Sequence, residues 1–102
     1  MNDRRLAPRY EITLEVFCTA RQRTTTVQTR DVGVGGVFLC TVSPEPVGTL
    51  LLLTFRLPGD NEVRLTGRVI HHLKGTGMGI QFLAFEGDGE VILRTYLEVL
   101  AA

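Results

Sequence analysis

From Tyr10 to Ala20 the chain alternates, with Tyr10, Ile12, Leu14, Val16, Cys18 and Ala20 on one side and Glu11, Thr13, Glu15 and Thr19 on the other. This period of two predicts a half-buried strand, with Phe17 interrupting the polar side. Arg23 to Val32, rich in Thr and Val, predicts a second strand. Gly33 to Gly36 breaks the pattern, Val37 to Thr41 resumes it, and Ser43-Pro44-Glu45-Pro46 marks a turn. Thr49 to Leu57 differs, because Leu50 to Leu53 is an unbroken apolar run followed by Phe55 and Leu57. Such a strand needs cover on both faces. Pro58-Gly59-Asp60-Asn61 predicts a hairpin turn. In Glu62 to Leu73, Val63, Leu65, Val69 and Leu73 oppose Arg64, Thr66, Arg68 and His72. After a turn at Lys74 to Gly77, Met78, Ile80, Phe82 and Ala84 form the inward side of a sixth strand.

Only the end has helical spacing. Asp88 suits an N-cap and Glu90 the positive first turn, and Ile92, Leu93, Tyr96, Leu97 and Leu100 then share a face. Six short antiparallel strands predict an all-β-dominated fold, a closed barrel without exposed edges. The C-terminal helix is expected to cover the outer face of the Thr49–Leu57 strand. If it does not, the Leu50–Leu53 run becomes a partner-binding patch.

With 102 residues the chain predicts one domain: an arginine-bearing arm over residues 1–9 and a barrel with its helix over 10–102. Acidic and basic residues balance at 11 each, so no bulk charge steers the chain to a nucleic acid polymer or a membrane. No apolar run is long enough for membrane insertion. The charged start, Asp3 to Arg5, does not read as a signal peptide, and the expected location is cytoplasmic. Cys18 and Cys40 are expected to be buried free thiols. His71 and His72 are adjacent in a strand and so point to opposite faces, which prevents them from jointly binding one metal. No nucleophile has a recognisable elbow or adjacent base, so an enzyme is not expected.

Basic residues do cluster locally, and two segments could carry ligand chemistry. Pro8 keeps Arg4-Arg5-Leu6-Ala7-Pro8-Arg9 out of a helix. In an extended chain Arg5 and Arg9 share a side, roughly 13 Å apart at about 3.3 Å per residue. Guanidinium offers a planar fork to phosphate and a flat cation to a purine. In Asp31-Val32-Gly33-Val34-Gly35-Gly36, glycine lets backbone approach a ligand or adopt positive φ. A carboxylate beside it can accept from the N1 and N2 edge of guanine. Each segment alone also fits a solvated terminus or an ordinary inter-strand turn.

Taken together, the two segments resemble the PilZ domain family, which carries Arg-x-x-x-Arg before its first strand and (Asp/Asn)-x-Ser-x-x-Gly between its second and third. Gly67-Arg68-Val69, Gly77-Met78-Gly79-Ile80-Gln81-Phe82, and Pro46-Val47-Gly48-Thr49 with Leu57-Pro58-Gly59 are similar to further family patterns. The resemblance covers about residues 4 to 100. It implies a six-stranded antiparallel barrel with a C-terminal helix. It also implies a receptor module that binds cyclic di-GMP and signals to a protein partner the sequence does not name. The ligand would be bound reversibly, with no cofactor. Arg5 and Arg9, with Arg4 assisting, would contact phosphates and guanine faces. Asp31 would bond a guanine edge, and Gly36 would allow close approach of the loop. The arm would stay mobile until ligand ordered it.

Gly33 departs from the pattern by standing where the family has Ser. The lost hydrogen bond is worth about 0.5–1.5 kcal/mol, up to about tenfold in affinity. Gly33 also adds an ordering cost to the loop. The backbone there is expected to be open enough to accept a serine. A PilZ-like adaptor that works by protein contact without the dinucleotide is therefore the alternative function.

Overall fold

The computed structural model describes residues 8–101. Its strands are β1 (Tyr10–Glu11), β2 (Glu15–Ala20), β3 (Arg23–Val32), β4 (Gly36–Cys40), β5 (Leu50–Leu57), β6 (Asn61–Leu73) and β7 (Gly77–Phe85), followed by helix α1 (Gly89–Ala101). They pair in the order β1-β3-β2-β5-β6-β7-β4, all antiparallel, and β3 also pairs with β4. That last pairing closes β2 to β7 into the expected six-stranded barrel. β1 is a short addition along β3 beyond the end of β2.

The barrel closes because alternate residues supply one continuous apolar lining. Val16, Val37, Leu39, Leu51, Leu53, Phe55, Val63, Val69 and Ile80 are all buried in it. The expected unbroken strand from Tyr10 to Ala20 is split at Ile12 to Leu14. Buried Thr29 of β3 fills the break. Its Oγ1 accepts from the Leu14 N–H at 2.9 Å and donates to the Ile12 carbonyl at 2.5 Å. Its own N–H donates to the Leu14 carbonyl at 3.0 Å. Thr29 thus pairs three backbone groups at the break, the Leu14 N–H, the Leu14 carbonyl and the Ile12 carbonyl, as burial demands.

Three further expectations are corrected by local geometry. Bulges in the β6–β7 ladder at Ile70 and Leu83 change which residues face inward. Leu73 is therefore exposed, and Phe85 rather than Ala84 turns toward the core. Helix α1 does not cover β5. Leu93 and Leu97 insert into the core while the helix packs beside β6, so Leu50 and Leu52 stay exposed on the barrel wall. The helix instead lies beside the β5–β6 turn, sharing a groove with Leu57, Pro58 and Asn61. It begins directly after Asp88, whose carbonyl accepts from Ile92, and carries an Arg94–Glu90 pair at 3.2 Å. Both cysteines are free, but only Cys18 is buried, because Cys40 pairs across from Gly77 on the outer face. Burial, with some help from Glu45, raises the Cys18 thiol to about 11.

Candidate functional site at the turn between β3 and β4

β3 and β4 meet in a short turn closed by the Gly33 N–H donating to the Gly36 carbonyl at 2.9 Å. The Gly35 carbonyl accepts from Phe82 at 2.9 Å, which ties the turn to β7. β1 sets Tyr10 opposite Val32 and Glu11 opposite Asp31. The chain entering β1 therefore passes directly over the turn, which puts Arg9 beside Asp31.

Arg9 Nε donates to Asp31 Oδ1 at 2.9 Å, and Nη2 donates to the same oxygen. Arg30 Nε donates to the other oxygen, Oδ2, at 2.9 Å. Partial burial works to raise the Asp31 carboxyl, but hydrogen bonds and charge from Arg9 and Arg30 outweigh it and hold it below the usual range. At neutral pH Asp31 is an acceptor only.

The turn glycines act through space rather than through positive φ, which the structure confines to Gly48, Gly59, Gly75 and Gly87 among glycines. A Cβ on Gly33 would lie 2.9 Å from the Pro8 carbonyl oxygen and 3.0 Å from Arg9 Cδ. One on Gly36 would lie 2.5 Å from the Ile80 carbonyl oxygen and 3.2 Å from Arg9 Nη1. The absence of a side chain on Gly36 thus leaves room for β7 and for Arg9. Gly33 is not the open position expected, because Pro8 and Arg9 lie on it.

Of the six residues the sequence singles out, the structure brings together Arg9, Asp31, Gly33 and Gly36. Arg4 and Arg5 lie outside the described residues, as does most of the arm.

Sequence reasoning missed three neighbours. Asp31, Phe38, Gly79 and His71 form one cross-strand row over β3, β4, β7 and β6. Arg30 is the extra residue of a bulge between Thr29 and Asp31. Its guanidinium lies 3.9 Å from the centre of the Phe38 ring. Phe38 is 6.1 Å from the His71 ring, and side chains on Gly77 and Gly79 would collide with these two rings. Strict alternation puts Arg30 on the face opposite Asp31, so only the bulge reveals it.

The site is an open surface. The cavities of about 370 and 440 Å³ are lined by other residues. Among the described residues no group of three or more His, Cys, Asp or Glu is placed to hold a metal. No described helix is long and apolar enough to cross a membrane.

The family profile described as PilZ domain matches residues 3–98. No curated protein sequence matches the chain. Among solved structures, the inhibitor of motility MotI/DgrA from Bacillus subtilis superposes with a TM-score of 0.81 at 16% identity, over 93% of this chain and 50% of that one. The chain thus spans half the length of that protein. The PilZ domain of CeSA from a cellulose-synthesising bacterium superposes with a TM-score of 0.69 at 22% identity, over 89% of this chain and 98% of that one. Likeness at these identities concerns the fold.

Proposed function

Since the chain belongs to the PilZ domain family, we propose that it is a receptor module for cyclic di-GMP rather than an enzyme. One observation carries the reading: the last arginine of the first motif and the carboxylate of the second, far apart in sequence, meet on one exposed surface beside Gly33 and Gly36. Arginine forks supply phosphate contacts and flat cations for stacking, while Asp31 supplies acceptors for a guanine N1–H and N2–H₂. Arg5, with Arg4 assisting, adds positive charge from the arm. Binding would draw Arg9 toward phosphate, re-set the arm over the turn and so present a changed surface to a protein partner.

A calorimetric titration with cyclic di-GMP at one fixed salt concentration tests this, since arginine–phosphate contacts are screened. Saturable binding is expected. Absence of binding at millimolar ligand favours the second reading, a protein-contact adaptor. That reading draws on the exposed Leu50 and Leu52 of β5 and on the missing motif hydroxyl at Gly33.

A further inference from the structure

The bulge in β3 gives Asp31 a second guanidinium neighbour that neither motif contains. Arg30 approaches Oδ2 through Nε alone, and its two Nη groups are in no hydrogen bond among the described residues. The guanidinium sits over the ring of Phe38, which is almost fully buried, at 3.9 Å from its centre. Phe38 is itself packed over Gly77 and beside His71, so this support is part of the barrel wall. Arg9 sits differently, because it reaches Asp31 from the chain that leads in from the arm. Arg9 holds Oδ1 through two nitrogens, whereas Arg30 holds Oδ2 through one and leaves its Nη groups beside the carboxylate.

This arrangement matches a base edge. Guanine presents N1–H and N2–H₂ as donors, and O6 as an acceptor on the far side of N1. When N2–H₂ meets Oδ1 and N1–H meets Oδ2, O6 falls on the side of Arg30, whose Nη groups are donors. Adenine has an acceptor at N1 and a donor at N6, so it would set a lone pair against the carboxylate and an N–H against the guanidinium.

We propose that Arg30 donates to guanine O6 beside Asp31, so that Arg30 and Asp31 together select guanine over adenine. The inference rests on the cyclic di-GMP reading and adds the residue that sets base choice. Asp31 must be ionised to accept both guanine donors. Arg9 and Arg30 keep it so, against its partial burial. Rejection of the wrong base follows because a mismatched edge leaves polar groups of the site unpaired.

The test compares cyclic di-GMP with cyclic di-AMP by calorimetry on the wild-type chain, Arg30→Ala and Arg30→Lys. The Arg30 side chain is 58% exposed, so both variants are expected to keep the wild-type melting temperature within a few degrees. Arg30→Ala is expected to weaken cyclic di-GMP binding about ten- to hundredfold. It should change cyclic di-AMP binding by less than about threefold, so the preference narrows. Arg30→Lys keeps a charge and a donor but not the planar fork, and should recover only part of the preference. Equal loss for both dinucleotides means that Arg30 acts through bulk charge and overturns the proposal, as does an unchanged ratio. If Arg30→Ala fails to fold, the ratio in Arg30→Lys decides in the same way. A wild-type chain that binds neither dinucleotide removes the receptor reading, and this inference with it. A wild type that binds with a ratio insensitive to Arg30 removes this inference alone.

Discussion

Arg9 and Asp31, separated by 22 residues in sequence, are joined through two guanidinium nitrogens on one carboxylate oxygen. A phosphate would compete with Asp31 for that fork, while the carboxylate keeps lone pairs for other donors. Arg9 is 46% exposed, so the pair is screened and contributes at most about 1 kcal/mol to stability. Arg9→Ala is therefore expected to weaken cyclic di-GMP at least about tenfold while shifting the melting temperature by only a few degrees. Arg9→Lys should restore only part of the affinity. Undiminished binding in an Arg5→Ala, Arg9→Ala double variant would place the ligand on another surface.

Asp31 also makes stability depend on pH. Its folded pKa lies below the ordinary value of about 3.9, because Arg9 and Arg30 outweigh its partial burial. Such a carboxyl favours the folded state at every pH above the unfolded value and loses that contribution as pH falls through the folded one. The difference in urea midpoint between wild type and Asp31→Asn should thus be constant from about pH 5 to 8 and shrink below about pH 4. The exposed arginines screen the effect, so it should stay within about 1 kcal/mol. A gap that persists undiminished to pH 2 would show that Asn fails for a reason other than charge.

Thr29 offers the clearest test of the barrel itself. Thr29→Val conserves shape but removes the hydroxyl that serves both the Leu14 N–H and the Ile12 carbonyl. At about 1–3 kcal/mol for each of the two groups left unpaired, a loss of about 2–6 kcal/mol is expected by chemical denaturation. Because the break in the first strand lies just before β2 and just after β1, the same variant should loosen the run that carries Arg9 over the turn. A loss below about 0.5 kcal/mol would mean that water replaces the hydroxyl.

The barrel was legible because alternation survives wherever strands are regular. Val16, Cys18, Val63, Leu65, Met78 and Ile80 all face inward as their spacing predicts. It failed where a single extra residue shifts the register. Leu73 and Ala84 follow bulges and lose the inward face, and Arg30 gains the face of Asp31 by the same device. Thr29 was missed for another reason: one Thr among several in a Thr-rich strand has no sequence mark of burial. The helix was legible but its seat was not. Leu93 and Leu97 identify an apolar stripe, yet nothing in their spacing separates the wall of β5 from the core beside β6. At the site, Arg9 and Asp31 could be read from motif and spacing. The Phe38–His71 support could not, because it depends on pairings across four strands.

Gly33 is where the departure from the family pattern meets the geometry. A serine there restores a hydroxyl worth about 0.5–1.5 kcal/mol to a bound ligand. Its Cβ, however, would stand 2.9 Å from the Pro8 carbonyl oxygen and 3.0 Å from Arg9 Cδ. The Arg9 stem can move, but a backbone carbonyl moves only with the chain that carries Arg9 to Asp31. The gain is therefore offset by displacement of the arginine that the ligand also needs. Gly33→Ser is expected to bind cyclic di-GMP no more tightly than wild type, with a slightly lower melting temperature. Gly33→Ala separates the two effects, because it adds the Cβ without the hydroxyl. It should bind several-fold more weakly than wild type, and the serine variant several-fold more tightly than the alanine one. Titrations of the three proteins at one salt concentration check this. If the serine variant binds several-fold more tightly than wild type, the Pro8–Arg9 segment yields at little cost, and Gly33 marks only a missing hydroxyl. If serine and alanine bind alike, the hydroxyl does not reach the ligand, and the glycine is there to seat the arm.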